Sequence, residues 1–365
     1  MVFEKKINVE KDRVNLSTTK LKNVLEYCNP SEQYVLVEKY GLVSWKAKPM
    51  QQIWKEFDMS RERIRQILNK SLTKVRRLLA QYPELEWEIK KAQKIVKDNW
   101  YMMEEWELIN QMLDNKIWLN YNELLLILSS DYDLYYIHRN KRFQKFFYVE
   151  PVFEDLINDI HDTMYNMLKE NKASMSEDML FYKLKSLFSA KFQRNQSIKD
   201  ALNNEQLYKN IISLSKYLYS LDWMVGLETY EDVNPKTMKL KIKYILWQEW
   251  KPLHYEKIAE KVKEKFNFKS IKVPTIHNEL VKNKEFINVG MWTYGLASWG
   301  YNGENTVEAI KNILEKAGRP MKTSEIAKEV LKERLVKEVT ILLVLQKHPD
   351  IFERVGKWLY QVRKS

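Results

Sequence analysis

An internal repeat in the last third of the chain constrains the fold more than any other feature of the sequence. The prolines of the two copies, Pro252 and Pro320, are each followed by an Ile-Ala pair, and one small indel separates the copies. The paired positions are Ile258-Ala259 with Ile326-Ala327, Thr275-Ile276 with Thr340-Ile341, and Phe286, Val289-Gly290, Trp292 and Tyr294 with Phe352, Val355-Gly356, Trp358 and Tyr360. The repeat predicts two copies of one small folding unit.

Each copy predicts three helices followed by a β-hairpin with a glycine at its turn and alternating aromatic residues. Three helices and a hairpin make a winged helix, so we expect one at residues 236–300 and a second, more diverged one at 304–365. Glycine is scarce, with 8 residues in 365, which disfavours long all-β architectures. The predicted fold class is mainly α, with tandem helix-turn-helix and winged-helix domains.

The remainder of the chain divides by composition. Residues 1–20 form a polar N-terminal arm, and 21–98 have a helical pattern that predicts a helix-turn-helix with a trailing helix. Residues 99–235 predict an aromatic-rich helical domain, within which a degenerate winged helix stays open. Aromatic and basic residues alternate between Tyr132 and Tyr148; a helical core with a basic edge is favoured over stacking of single-stranded bases.

The charge balance indicates a polyanionic partner. Lys and Arg number 61 against 49 Asp and Glu, which gives a formal charge of +12, and phosphate contacts by such residues supply most non-specific affinity for nucleic acid. The single cysteine, Cys28, fits a reducing compartment. No apolar run long enough for a membrane helix is present in the sequence, so a cytoplasmic, nucleoid-associated protein with no membrane partner is predicted.

Sequence motifs for catalysis and metal binding are absent. The five histidines are scattered and lack metal-ligand spacing with the one cysteine. No Gly-rich phosphate loop, nucleophile elbow or HExxH occurs. We therefore expect no enzyme activity, no metal and no cofactor.

The segment from Met50 to Leu79 has the pattern of a DNA-reading helix-turn-helix. Ile53 and Phe57 share one face of a short helix, and Ser60 is a good N-cap for the next helix. That second helix has a buried stripe at Ile64, Ile67, Leu68, Leu72 and Val75. A solvated amphipathic helix is the alternative, but the short preceding helix, the turn and the cap favour DNA reading.

The polar face of this helix provides the candidate DNA contacts. The base-reading candidates are Arg61, Glu62, Arg65 and Gln66, because Arg can bind guanine, Glu can accept from cytosine and Gln can pair with adenine. The phosphate-contact candidates are Ser60, Arg63, Lys70, Lys74, Arg76 and Arg77.

The same stretch closely resembles region 4 of the sigma-70 family of bacterial transcription initiation factors. The resemblance is carried by Asn29-Pro30-Ser31-Glu32, Tyr40-Gly41-Leu42, the run from Phe57 to Ile67, and the run from Lys70 to Arg76. It implies −35 promoter reading in the major groove, with Arg61, Glu62 and Arg65 at base-reading positions, and docking on the RNA polymerase β-flap. Asp58 stands where the family usually has Gly. No segment resembles the domain that reads the −10 element, so a self-sufficient sigma factor is not expected.

The first repeat copy resembles the HARE-type winged helix of polymerase delta subunits, some restriction enzymes and chromatin regulators. The resemblance rests on Pro252-Leu253-His254, the run from Thr275 to Leu280, and Phe286 through Gly290 to Leu296. The module order resembles that of sigma-factor-like proteins of uncultured small-genome bacteria. A second DNA site is expected at His277, Asn278, Lys282, Lys284 and Trp292, with protein docking as an equal alternative. In the second copy Leu342–Leu345 favour burial or partner docking.

Three functions follow from these features. The first is sequence-specific binding of double-stranded DNA in transcription regulation. The second is an RNA-polymerase-associated factor that docks through the sigma-like domain, with DNA reading secondary. The third is an architectural nucleoid protein with little sequence preference.

Overall fold

The structure, a computed structural model, describes residues 19–57, 59–114, 118–299, 306–333, 336 and 338–363. The predicted polar arm lies almost wholly outside them, as does Asp58. The described chain is mainly helical with four small antiparallel sheets, which confirms the predicted fold class. It divides into two compact units, with the boundary between residues 234 and 235. None of the helices in the described ranges is long and apolar enough to cross a membrane.

The first four helices are α1 (Thr19–Glu26), α2 (Pro30–Tyr40), α3 (Met50–Phe57) and α4 (Arg61–Leu79). A capping box starts α2, because the Asn29 side chain accepts from the Glu32 N–H while the Glu32 carboxylate accepts from the Asn29 N–H. Helix α2 ends at Gly41, whose φ of 65° is left-handed. A Cβ there would lie 2.6 Å from the Ala47 nitrogen, so the chain needs glycine to pass this point.

The rest of the chain repeats one arrangement four times. In each repeat of the described chain a helix, a short strand, two further helices (three in the second repeat) and two strands follow in order, and the last strand lies between the other two. We name the repeats module A (residues 83–148), module B (154–227), module C (238–296) and module D (306–362). The first helix of module A is the trailing helix predicted within 21–98, and the rest of modules A and B falls in the predicted aromatic-rich span 99–235. A degenerate winged helix was left open in that span, but two strand-containing modules were not predicted there.

The elements of modules A and B are α5 (Pro83–Asp98), β1 (Met102–Glu104), α6 (Glu105–Leu113), α7 (Tyr121–Ser129), β2 (Tyr135–Ile137), β3 (Phe146–Tyr148), α8 (Glu154–Asn171), β4 (Met175–Ser176), α9 (Glu177–Lys191), α10 (Gln196–Leu202), α11 (Glu205–Leu214), β5 (Leu218–Leu221) and β6 (Met224–Leu227). Helix α10 is an addition that the other modules lack in their described parts.

The elements of modules C and D are α12 (Met238–Glu249), β7 (Leu253–His254), α13 (Tyr255–Lys265), α14 (Val273–Lys282), β8 (Phe286–Gly290), β9 (Thr293–Leu296), α15 (Thr306–Ala317), β10 (Met321–Lys322), α16 (Thr323–Glu333), α17 (Glu338–Lys347), β11 (Phe352–Gly356) and β12 (Leu359–Val362). A 3₁₀ turn, Ala297–Trp299, follows β9.

One backbone hydrogen bond recurs in every module. The first residue of the module's second helix donates its N–H to the carbonyl of the residue directly before the module's last strand. The donor–acceptor pairs are Glu105–Lys145 at 3.0 Å, Glu177–Trp223 at 2.8 Å, Tyr255–Trp292 at 3.1 Å and Thr323–Trp358 at 2.9 Å. The repetition of this bond shows that the four modules are built alike, although only the last two share a visible sequence pattern.

The cores explain how the first unit is held together. Helices α1 to α4 share one continuous core with module A, in which Leu124–Leu128 of α7 are all buried. A second core combines module B with Met102, Ile137, Phe143, Phe146 and Tyr148 of module A. The Asn210 amide of α11 also donates to the carbonyl of Asn99 at 2.7 Å. The helix-turn-helix is therefore packed onto module A, and is not a freely tethered domain.

Candidate DNA-binding surfaces

Helix α4 presents its N-terminal residues to solvent. Ser60 is its N-cap, as predicted, and the hydroxyl accepts from the Arg63 N–H at 3.2 Å. Buried Ile64, Leu68 and Val75 anchor the opposite face. The four base-reading candidates, Arg61, Glu62, Arg65 and Gln66, are all exposed.

Two of these candidates form an ion pair on the helix surface. The Arg65 Nη2 and Nε atoms donate to the two Glu62 carboxylate oxygens at 2.7 and 2.9 Å. Both side chains remain more than half exposed, and the Arg65 guanidinium lowers the pKa of Glu62. The pair therefore holds a forked donor and an ionised acceptor side by side, which are the groups that contact guanine and cytosine in the major groove.

The remaining exposed cations of α4 lie along its length. Arg63 donates to the Gln66 side-chain oxygen at 3.4 Å. Lys74 is 3.3 Å and Lys70 4.0 Å from the buried carboxylate of Glu32, and Lys70 stays 77% exposed. Arg77 is exposed. To contact a phosphate, Lys74 would have to share its ammonium with Glu32.

Arg76 does not fit the predicted phosphate contact. Its side chain is 14% exposed, its Nη2 atom donates to Glu86 at 3.0 Å, and its Nε atom lies 2.9 Å from Asp131. Helical periodicity placed Arg76 on the polar face beside Arg77, but module A covers that side of the helix. The sequence pattern could not reveal this, because Asp131 is remote from Arg76 in the sequence.

In module C the structure brings together part of the second predicted site. The rings of His277 on α14 and Trp292 at the hairpin turn lie 5.2 Å apart, and the Tyr294 hydroxyl is 3.3 Å from His277 Nε2. Asn278 and Lys282 are exposed on α14, and Lys284 is exposed just beyond it. The hairpin is thus braced against the helix, with the lysines at the helix end.

The third helices of the four modules differ in what they expose. Helix α7 is buried against α2 and α4, and α11 is tied to module A. Helix α14 exposes polar residues, whereas α17 exposes Val339 and Leu343 and buries Leu345. One side of α17 is therefore buried, and the apolar side chains of Val339 and Leu343 on its other side face solvent.

The residues that the structure describes include no group of three or more His, Cys, Asp or Glu side chains arranged to hold a metal. The thiol of Cys28 is buried, and burial raises its pKa to about 11. A thiol with so high a pKa is a poor nucleophile at neutral pH.

The class of the exposed helix-turn-helix is supported by comparison with known families. Residues 25–77 match the family "Sigma-70, region 4", which is a DNA-binding helix-turn-helix of transcription initiation. The matched segment runs from within α1 to near the end of α4.

Two sigma factors are similar to this part of the chain. The RNA polymerase sigma factors SigA of Microcystis aeruginosa and of Synechocystis are each 44% identical to it over 62 residues. The similarity covers 17% of this chain and 15% of each relative. The chain therefore shares one domain with these sigma factors and spans a small part of their length.

Proposed function

We propose that the protein binds double-stranded DNA sequence-specifically and regulates transcription. The observation that carries the proposal is the exposed Glu62–Arg65 pair at the capped N-terminus of α4, inside the segment that matches sigma-70 region 4. Arg61 and Gln66 flank the pair and are exposed. A major groove accepts a helix in this orientation, with its first residues against the base edges.

Selection of bound sequences from a random duplex library tests this proposal directly. We expect one enriched motif with a full-length chain, and the enrichment should fall for Arg65→Ala. Enrichment of no motif above the input library would contradict sequence-specific reading and would support the architectural alternative.

Modules C and D are proposed to be winged helices of the HARE type, with domain boundaries near 236–300 and 304–365. The element order and the central position of the last strand support this interpretation. Helix α14 would contact a second stretch of DNA through Asn278, Lys282 and Lys284. The double variant Lys282→Gln/Lys284→Gln should then weaken binding of long duplexes more than of short ones that contain only the selected motif.

A second candidate function is supported by the similarity to RNA polymerase sigma factors. In that function the helix-turn-helix docks on the polymerase core through the β-flap, and DNA contact is secondary. Binding of the chain to purified core enzyme without DNA would favour it. In either function the protein is proposed to be non-enzymatic and to act in the cytoplasm, on the nucleoid.

A further inference from the structure

A basic turn at residues 138–145 joins β2 and β3 in module A, and its backbone is fixed from within. The Asn140 side-chain oxygen accepts from the N–H groups of Arg142 and Phe143, each at 2.8 Å. Phe143 is fully buried, with its ring 4.8 Å from that of His161. The turn therefore has one defined conformation, stabilised by a local hydrogen-bond pattern and an apolar anchor.

The turn is also fixed to module B. Gln144 donates its N–H to the Leu214 carbonyl at 2.9 Å, and Lys216 donates its N–H to the Arg142 carbonyl at 2.8 Å. The Lys216 ammonium donates to the Asn140 carbonyl. These bonds place the Lys216 side chain beside the cations of the turn.

The cations of this region fall into two groups. Arg142 is paired with Asp162 at 2.7 and 2.8 Å, and Lys145 with Glu105 at 3.1 Å. Arg139 and Lys141 are exposed and have no acidic partner among the described residues. The Lys216 ammonium is held at the carbonyl of Asn140, the residue between Arg139 and Lys141, and burial, together with the charge of Arg139, lowers the pKa of Lys216.

Three phenylalanine rings in the turn and at the start of β3 face inward. Phe143, Phe146 and Phe147 are each 0% exposed, so these rings are not available to stack bases. The exposed chemistry of the turn is cationic, which suits a backbone phosphate and not a base.

We propose that Arg139, Lys141 and Lys216 form a phosphate-binding site for the DNA backbone, separate from α4. A phosphate would relieve the repulsion between these like charges, and the fixed backbone removes the cost of ordering the loop on binding. This inference rests on the proposed duplex binding, but it concerns affinity and not base preference.

The test compares Arg139→Gln/Lys141→Gln with a matched control, Lys183→Gln/Lys185→Gln, which removes the same charge from exposed positions of α9. Duplex affinity is measured by fluorescence anisotropy at several salt concentrations, using full-length chains of equal thermal stability. Loss of two phosphate contacts should reduce the slope of log K against log salt by about 2 and weaken binding at least about tenfold at 0.1 M salt. The control should keep the wild-type slope.

The outcomes separate this inference from the proposed function. Equal slopes for the two double variants would overturn the phosphate site while leaving sequence-specific reading intact. A reduced slope in a protein that shows no base preference would support the site and contradict sequence-specific reading. Absence of duplex binding by the wild type would overturn both.

Discussion

The Nε atom of Arg76 lies 2.9 Å from the Asp131 carboxylate, which joins the end of α4 to module A through a buried ion pair. The Asp131 side chain is fully buried and has Arg76 as its cationic partner, while the Gln93 amide and the Asp133 N–H also donate to it. The helix-turn-helix is thereby fastened to module A at the end of α4 opposite to its capped N-terminus.

Replacing Arg76 by Ala should destabilise the chain by about 2 to 4 kcal/mol, because it leaves a buried carboxylate without its cation. Arg77→Ala, next along the helix and exposed, should change stability by less than about 0.5 kcal/mol. Thermal unfolding measures both. The idea of a buried pair would be refuted by equal, small effects of the two substitutions.

Arg65→Ala and Arg77→Ala should change DNA binding in different ways. Arg65→Ala should cost about 1 to 3 kcal/mol on the preferred duplex and relax preference at one base position. Arg77→Ala should weaken all duplexes alike and lower the salt slope by about 1. Competition binding with the selected motif and its single-base variants distinguishes the two; loss of equal size on every sequence from both would argue against base reading by Arg65.

Gly41 offers a prediction about the turn after α2. An alanine Cβ there would lie 2.6 Å from backbone atoms of residues 46 and 47, in addition to the strain of a left-handed φ. Gly318 has a similar φ of 60° but nothing within 4 Å of its Cβ position. Gly41→Ala should therefore cost about 1 to 3 kcal/mol more than Gly318→Ala, since only the first adds overpacking. Similar losses in thermal stability would contradict this.

His161 should make the stability depend on pH. Burial lowers its pKa below the unfolded value of about 6.5, so the unfolded chain takes up a proton first as the pH falls. Neutral His161 therefore contributes its full stability when the pH is above the pKa that the histidine has in the unfolded chain. As the pH falls from that value to the lower pKa of the folded chain, the contribution is lost at about 1.4 kcal/mol per unit of pH.

Unfolding measured between pH 7.5 and 5 should show a shallower pH dependence for His161→Gln than for the wild type. Glutamine keeps a hydrogen-bonding group near Ser215, whose hydroxyl lies 3.0 Å from His161 Nε2, but it does not titrate. An unchanged slope would show that His161 is not protonated on unfolding in this range.

Local patterns were enough to predict much of helix α4. The Ser60 cap and the buried positions Ile64, Leu68 and Val75 depend on spacing and on neighbouring residues, and the structure agrees with them. The same reasoning assigned Arg76 to the exposed face and was wrong, because its partners Glu86 and Asp131 come from other elements.

The internal repeat was visible in the sequence only for modules C and D, where the paired aromatic and glycine positions survive. Module B keeps the tryptophan at the turn as Trp223, whereas in module A Lys145 stands at that position, and its carbonyl accepts the same hydrogen bond. A backbone carbonyl can make this bond whatever the side chain, so the sequence carries little trace of it.

The sequence by itself thus determined the helical class, the capped helix α4 and the similarity to region 4, because each depends on local spacing. The tertiary structure decided which surfaces remain open. Helix α7 is covered, Arg76 is enclosed and Lys216 is joined to the basic turn by contacts between residues that are far apart in the chain.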